Sequence, residues 1–190
     1  MTDILLGLGG NIEGSWGCPR LTLDRVIAEL FHRGIRFRRR AGLYLTRPVG
    51  RTDQPMFLNT VVVASTDHGP GAVMHICKQM ERAAGRRRGP RNGPRPLDID
   101  ILAFGQCVRG WPVRPALRQI GRLILPHPEM HRRAFVLRPL NDVAPRWIHP
   151  VLGGPAGMLL HRLGEAAHGG IVGPIEGSRG VRFAAGLGSG

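Results

Sequence analysis

The segment from Leu97 to Leu102 constrains the fold more than any other stretch, because apolar residues alternate in it with two aspartates. Alternation with a period of two is typical of a β-strand. Since successive side chains of a strand point to opposite faces, Asp98 and Asp100 leave the same face, about 6.5–7 Å apart along the backbone. The prolines and glycines up to Pro96 predict an irregular loop just before this strand.

Two carboxylates on one face of a strand form a candidate metal site. Like charges at this distance raise the cost of ionising each other, and a bound cation removes that cost. Carboxylate oxygens are hard ligands that suit Mg²⁺ shared with a polyphosphate. The alternative is a solvated strand edge, because Asp-x-Asp alone has a high false-positive risk. Guanidinium groups bind phosphate bidentately and favour a metal–nucleotide site, and the preceding residues supply six of them: Arg82, Arg86, Arg87, Arg88, Arg91 and Arg95.

Four stretches carry a longer pattern: Thr46-x-Pro48-Val49-Gly50, Gln54-Pro55-x-Phe57-Leu58-Asn59, Arg91-x-Gly93-Pro94-Arg95-x-x-Asp98-Ile99-Asp100-Ile101-Leu102 and Pro126-His127-x-x-Met130-x-x-Arg133-x-Phe135. Together they resemble the 6-hydroxymethyl-7,8-dihydropterin pyrophosphokinase family, over about residues 4 to 152. The resemblance implies an α+β fold, a ferredoxin-like sandwich whose mostly antiparallel sheet carries helices on both sides. It also implies an enzyme of folate biosynthesis that transfers diphosphate from ATP to the hydroxyl of 6-hydroxymethyl-7,8-dihydropterin and releases AMP.

The same resemblance assigns residue roles, which are predictions at this point. Asp98 and Asp100 are expected to hold Mg²⁺, two ions with ATP. The residues expected to act on the reacting phosphates are Arg86, Arg95, Asp98 and Asp100. Those expected to bind ATP are Glu81, Arg88, Arg95, Ile101, His127 and Arg133. Those expected around the pterin are Gly9, Thr46, Pro48, Val49, Phe57, Asn59 and Phe135.

Phe57 and Asn59 suit a flat heterocycle by their own chemistry. Alternation along a strand places them on one face, where Phe57 offers a stacking surface and Asn59 an amide donor and acceptor. The alternative is a core phenylalanine beside an asparagine that caps a turn. The glycines of Gly7-x-Gly9-Gly10-Asn11 allow close backbone approach to a ligand. They form neither a Rossmann fingerprint nor a P-loop, and a tight turn is the simpler interpretation.

Helical periodicity predicts helices over 19–31 and 70–84, each followed by a glycine. The long loop 85–96 is expected to be a mobile lid that closes over ATP. We interpret 106–122 as a loop and assign it no chemistry. A pyrophosphokinase domain is predicted over 1–163, and the glycine-rich residues 164–190 are predicted to be a loosely ordered tail.

The net charge of +14 and the sequence pI of about 11.7 favour anionic partners. They motivate an alternative, an RNA-binding module of ferredoxin-like shape. Such modules stack bases on exposed aromatics, whereas aromatics are only 5% here, so we expect no nucleic-acid partner. With three isolated cysteines and no apolar run long enough for a membrane span, we expect a cytoplasmic monomer without a membrane partner.

Three residues depart from the family pattern. Asn92 stands where many members carry an aromatic residue, Lys78 replaces a glutamine, and Ile124 replaces a hydroxyl residue near the adenine site. We expect Lys78 to add a phosphate contact. These departures leave open a degenerate member that binds pterin or nucleotide without turnover. The spacing of His127 and His131 does not indicate zinc, because the glutamate of a His-Glu-x-x-His motif is missing.

Overall fold

The computed structural model describes residues 1–111, 123–164, 170–178 and 180–183. These residues form one antiparallel sheet and four α-helices. The strands are β1 (Thr2–Gly10), β2 (Arg36–Arg40), β3 (Tyr44–Thr46), β4 (Phe57–Thr66), β5 (Asp98–Phe104), β6 (Ile171–Pro174) and β7 (Val181–Arg182). The helices are α1 (Pro19–Phe31), α2 (Pro70–Ala83), α3 (Ala134–Val143) and α4 (Ala156–Leu163), and a short 3₁₀ turn covers Met130–Arg132.

The order of strands across the sheet is β5-β1-β4-β2-β7, and β3 pairs with the outer part of β4. The first strand thus lies between the two later ones, β4 and β5, with which it pairs antiparallel. Two strand–helix–strand units interleaved in this way make the ferredoxin-like arrangement. The predicted fold class is confirmed, since one pair of helices packs on each face of the sheet.

Alternation along the strands divides the core between the two faces. Leu6 of β1 and Ile99 of β5 pack with α1 and α2, whereas Leu5 and Leu102 pack with α3 and α4. Because Asp98 and Asp100 alternate with Ile99, they share the face of Leu102, which is the face that α3 covers. The prediction that both carboxylates leave one face is confirmed, and both line the same cavity.

The helix boundaries follow the local sequence signals. Helix α1 has the predicted limits, and α2 ends one residue before the predicted end. A proline is the first residue of both α1 and α2, where its missing N–H costs no helical hydrogen bond. Gly34 and Gly85 follow with φ of +79° and +96°, a left-handed conformation that glycine adopts without steric strain.

Of residues 164–190, predicted to be a loosely ordered tail, residues 165–169, 179 and 184–190 lie outside the described part of the chain, and the described residues include two short strands. Strand β6 pairs with β3, and β7 pairs with β2, so both extend the main sheet. The physical reason is that β2 and β3 each leave an edge whose N–H and C=O groups need partners. Of the segment predicted as a loop over 106–122, residues 112–122 lie outside the described part of the chain. No helix in the described residues is long and apolar enough to cross a bilayer.

Core packing of α1 predicts a contrast between neighbouring positions. Leu30 is fully buried against the sheet, whereas Phe31 is 47% exposed. Replacing Leu30 with alanine leaves a cavity, so the free energy of unfolding should fall by about 2–5 kcal/mol. The control Phe31→Ala should change it by less than about 1 kcal/mol. Urea unfolding measures both, and equal losses would contradict the packing of α1 described here.

Candidate active site

A cavity of about 210 Å³ opens on the face of the sheet that α3 covers. It lies where the C-terminal half of β1 meets the first residues of β4 and β5. Ten of the sixteen predicted site residues line it: Gly9, Thr46, Val49, Phe57, Asn59, Arg95, Asp98, Asp100, Arg133 and Phe135. Stretches far apart in the chain therefore meet at one site, with the carboxylates next to the aromatic rings.

Asp98 lies between two guanidinium groups of the preceding loop. Arg86 donates a short hydrogen bond to one carboxylate oxygen, and Arg95 donates to the other at 2.8 Å. Burial opposes the charge of Asp98, but Arg95 and Arg86 outweigh this effect and lower the pKa of the carboxyl below its usual range. Asp98 is therefore ionised at neutral pH, as a metal-binding carboxylate must be.

Asp100 has a different set of basic neighbours. The guanidinium of Arg133 lies 3.5 Å from Oδ2 of Asp100, and Nε2 of His127 lies 4.0 Å from the same oxygen. Nδ1 of His127 accepts the N–H of Glu129 at 3.2 Å, which places the imidazole proton on Nε2, towards Asp100. Burial lowers the pKa of His127, so the ring is neutral at pH 7 and can donate this proton in a hydrogen bond.

The two aspartates fit a magnesium ion that arrives with a nucleotide. In the described residues no group of three or more His, Cys, Asp or Glu side chains could form a metal site by itself. Mg²⁺ is commonly bound by one or two carboxylates together with water and substrate phosphates. Two carboxylates on one face, one of them with a lowered pKa, meet that requirement. Four basic groups around them suit the phosphates themselves.

The aromatic walls of the cavity carry arginines over their faces. The guanidinium carbon of Arg95 lies 4.9 Å from the ring centre of Phe57, and that of Arg133 lies 5.7 Å from the ring centre of Phe135. These are cation–π contacts, in which a flat cation occupies the stacking surface of each ring. Each of these arginines also pairs with one of the aspartates. A flat ligand that stacks on the ring face covered by a guanidinium must displace that arginine.

Asn59 is held in place by its two nearest strands. Its side-chain amide donates to Oγ1 of Thr46 at 2.7 Å, and Thr46 is only 1% exposed. Across the β1–β4 pair, Asn59 lies opposite Gly9, where an added Cβ would come within 2.4 Å of Oδ1 of Asn59. Only glycine leaves room for the amide at that position. Thr46 and Gly9 therefore fix the orientation of the donor and acceptor that Asn59 presents.

A chain of hydrogen bonds joins the three loops around the cavity. The side-chain amide of Asn11 donates to Gln54 and to the carbonyl of Pro55, and its oxygen accepts the N–H of Arg95 at 2.8 Å. Gln54 in turn donates to the carbonyl of Asn92 at 2.8 Å. Asn11 is 6% exposed, so the bonds that Asn11 makes are partly shielded from water. The motifs contain both Asn11 and Gln54, but spacing alone gives no sign that they join loops.

Glu81 is buried beneath the site and has a structural set of partners. One of its oxygens accepts the backbone N–H of Ile99 at 2.9 Å, and Lys78 and Arg86 each pair with the carboxylate at 2.9 Å. Burial raises the pKa of Glu81 against the influence of both cations. Lys78 forms this ion pair, and its expected phosphate contact stays a prediction. Asn92 adopts a left-handed φ of +58°, and its carbonyl joins the loops.

Six predicted site residues do not line the cavity: Pro48, Glu81, Arg86, Arg88, Ile101 and His127. Arg86 and His127 still reach it through their contacts with Asp98 and Asp100. The side chain of Ile101 packs in the core on the opposite face of the sheet, and Arg88 is exposed on the loop. Their predicted contacts with ATP stay predictions.

Comparison with known proteins gives a consistent result. A protein-family model described as 7,8-dihydro-6-hydroxymethylpterin-pyrophosphokinase (HPPK) matches residues 5–145. A Methylorubrum extorquens protein named 2-amino-4-hydroxy-6-hydroxymethyldihydropteridine pyrophosphokinase is 39% identical over 145 residues, which cover 76% of this chain and 84% of that protein. An Arabidopsis thaliana protein named mitochondrial folate synthesis bifunctional protein is 37% identical over 162 residues, 78% of this chain and 27% of that protein.

Among solved structures, wild-type Plasmodium falciparum HPPK-DHPS superposes with a TM-score of 0.61 at 16% identity, over 85% of this chain and 44% of that one. At this identity the likeness shows the fold alone. The chain spans about a quarter of the plant bifunctional protein and most of the bacterial relative. It therefore corresponds to one part of the longer relatives.

The contacts of Glu81 predict a stability effect. Replacing it with glutamine turns one acceptor oxygen of the buried carboxylate into an NH2 donor that faces Lys78 and Arg86, which lose an acceptor, so the free energy of unfolding should fall by about 1–3 kcal/mol. Glu29 is the matched control, because it pairs with Arg25 on the surface of α1 at 3.6 Å. Glu29→Gln should cost less than about 1 kcal/mol. Similar urea midpoints for the two variants would contradict a structural role for Glu81.

Proposed function

The chain belongs to the 7,8-dihydro-6-hydroxymethylpterin-pyrophosphokinase family, and we propose that it transfers diphosphate from ATP to the hydroxyl of 6-hydroxymethyl-7,8-dihydropterin, releasing AMP. The observation that carries the proposal is the juxtaposition of Asp98 and Asp100 with the rings of Phe57 and Phe135 in one cavity. A metal–nucleotide complex and a flat heterocycle would meet there. The comparisons support this reaction and give no support to the RNA-binding alternative.

In the proposed reaction the pterin hydroxyl attacks the β-phosphorus of ATP. The new O–P bond forms as the bond from this phosphorus to the oxygen that bridges the α-phosphate breaks, and AMP leaves with that oxygen. The proton of the attacking hydroxyl is released to water. Magnesium ions held by Asp98 and Asp100 would stabilise the charge that spreads over the phosphoryl oxygens. A carboxylate with a lowered pKa is a weak base, so Asp98 serves as a ligand rather than as the acceptor of the hydroxyl proton.

Three guanidinium groups supply the complementary charge, and the neutral ring of His127 supplies a hydrogen-bond donor. Arg86 and Arg95 lie on Asp98, and Arg133 and His127 lie beside Asp100, so all four stand where the triphosphate would be bound. With Asp98 and Asp100 holding a metal, the guanidiniums of Arg86, Arg95 and Arg133 would be available to the phosphate oxygens. Arg86 and Arg95 belong to the loop 85–96, whose closure would aim them at the reacting phosphorus and exclude water.

The pterin pocket recognises shape and hydrogen-bonding pattern. The rings of Phe57 and Phe135 would stack on the two faces of the pterin, and the amide of Asn59 would pair with its aminopyrimidinone edge. Thr46 and Gly9 support this pairing because they fix the amide in one orientation. We also propose a pair of magnesium ions, a monomeric state and a cytoplasmic location.

Release of AMP tests the reaction. The full chain should release AMP from ATP when both hydroxymethyl-dihydropterin and Mg²⁺ are present, and excess EDTA should abolish the release. Asp98→Ala and Asp100→Ala should each lower kcat by at least about a hundredfold, the order of loss when one stabilising group is removed from a transition state. Asp67→Ala is the control and should leave kcat unchanged, because Asp67 is exposed and pairs with the N-terminus far from the cavity.

Magnesium-dependent turnover that survives either aspartate substitution would refute the metal role. Binding of nucleotide without any AMP release, by a correctly folded chain, would instead favour the degenerate family member.

Loss of one aromatic wall should separate the two substrates. Phe57→Ala removes a stacking surface, so pterin affinity measured by calorimetry should fall by at least about tenfold, given that stacking on an aromatic ring contributes about 1–3 kcal/mol per base. Affinity for a non-hydrolysable magnesium–ATP analogue should change less than threefold, because Phe57 is assigned to the pterin and substitutions away from a contact have small effects. Phe31→Ala on the surface of α1 serves as the control. Equal losses for both ligands would count against the proposed pocket.

A further inference from the structure

We infer that the C-terminal segment, residues 170–178 and 180–183, positions the pterin pocket by holding strand β3 in place. The inference rests on the proposed function and adds a component to it. The match to the family ends at residue 145, so this segment lies outside the stretch that carries the family pattern. Its contacts nevertheless converge on the strand that supports Asn59, through Thr46.

Strand β3 has only three residues and depends on neighbours at both edges. On one edge it pairs with β4, with Tyr44 opposite Asn59 and Thr46 opposite Phe57. On the other edge it pairs with β6 of the C-terminal segment. Two flanking backbone bonds extend this pairing, since Arg47 donates to the carbonyl of Gly170 at 3.0 Å and Ile175 donates to the carbonyl of Leu43 at 2.9 Å. The segment thus follows β3 along its whole length.

Ser178 fastens the segment to the beginning of β3. Its side-chain oxygen accepts the N–H of Leu43 at 3.0 Å and donates to the carbonyl of Ile175 at 2.6 Å. Ser178 is 7% exposed and Leu43 is 2% exposed, so water does not readily replace these bonds. A Cβ added to Gly42 would lie 2.7 Å from the carbonyl oxygen of Ser178, which shows how closely the two backbones approach.

Apolar contacts anchor the segment on both sides of Ser178. Ile175 and Phe183 pack against the core that α1 and α2 share with the sheet. The rings of Phe183 and Phe37 lie 6.1 Å apart, and β7 pairs with β2 at Arg39 and Arg40. The segment is therefore fixed to the body of the protein and can restrain β3 rather than move with it.

The restraint is transmitted to the pocket through one hydrogen bond. Thr46, the last residue of β3, accepts the amide of Asn59 at 2.7 Å. After Thr46 the chain continues into Val49, which lines the same cavity. If β3 lost its outer neighbour, Thr46 and this loop would lose their fixed position. The carboxylates on β5 are attached to a different edge of the sheet and would keep theirs.

Two substitutions in the full chain test this inference from opposite sides of the contact. Ser178→Ala removes the acceptor of the Leu43 N–H, and Gly42→Ala forces the two backbones apart. Each should weaken the binding of hydroxymethyl-dihydropterin by about five- to tenfold, the effect of one buried hydrogen bond, and leave a non-hydrolysable magnesium–ATP analogue bound as in the wild type. Amide hydrogen exchange of residues 43–47 should become faster. Val172→Ala is the control, because Val172 lies in β6 but is 49% exposed.

The outcomes distinguish the inference from the proposed function. Faster exchange in residues 43–47 with unchanged pterin affinity would overturn the inference, since the segment would then have only a structural role. Equal weakening of both ligands would also overturn it. A wild-type chain that binds no pterin would overturn the proposed function, whereas its exchange pattern would still report whether the segment holds β3.

Discussion

The ionic contacts of Asp98 are the interaction on which the site depends. Asp98 is the first residue of β5. Its carboxylate pairs with Arg86 and Arg95, which lie near the two ends of the preceding loop. Behind it, Glu81 holds both Arg86 and the backbone of Ile99. The position of the loop and the charge of the Asp98 carboxylate therefore depend on one network.

Much of this arrangement could be predicted from the sequence because it follows from short-range rules. The alternation around Asp98 fixes which face the carboxylates share, and the apolar spacing from Pro19 to Phe31 gives the limits of α1. The arginines and Phe57 could be assigned to a site because their chemistry matches a phosphate and a flat ring. The four motifs then added the family, which the comparisons confirm.

The remainder depends on contacts that only the fold creates. Glu81 has the spacing of an ordinary helix residue, and nothing local shows that it is buried under β5 with Lys78 as its partner. The glycine-rich C-terminal sequence has no periodicity that would predict a strand. Strands β6 and β7 form there because they pair with the edges of β3 and β2, which would otherwise lack partners. Asn11 and Gln54 join loops that are about forty residues apart in the chain. Such pairings are set by tertiary structure, which overrides weak local preference.

The stacking of Arg95 on Phe57 and of Arg133 on Phe135 has a consequence for inhibitor discovery. A flat compound that stacks on the ring face covered by a guanidinium competes with that arginine. Its apparent affinity is then the intrinsic affinity multiplied by the fraction of molecules in which the arginine has moved aside. Screening campaigns run without magnesium–nucleotide would therefore rank such compounds too low. A bisubstrate scaffold, which carries phosphate groups to engage the displaced arginines, would avoid this handicap.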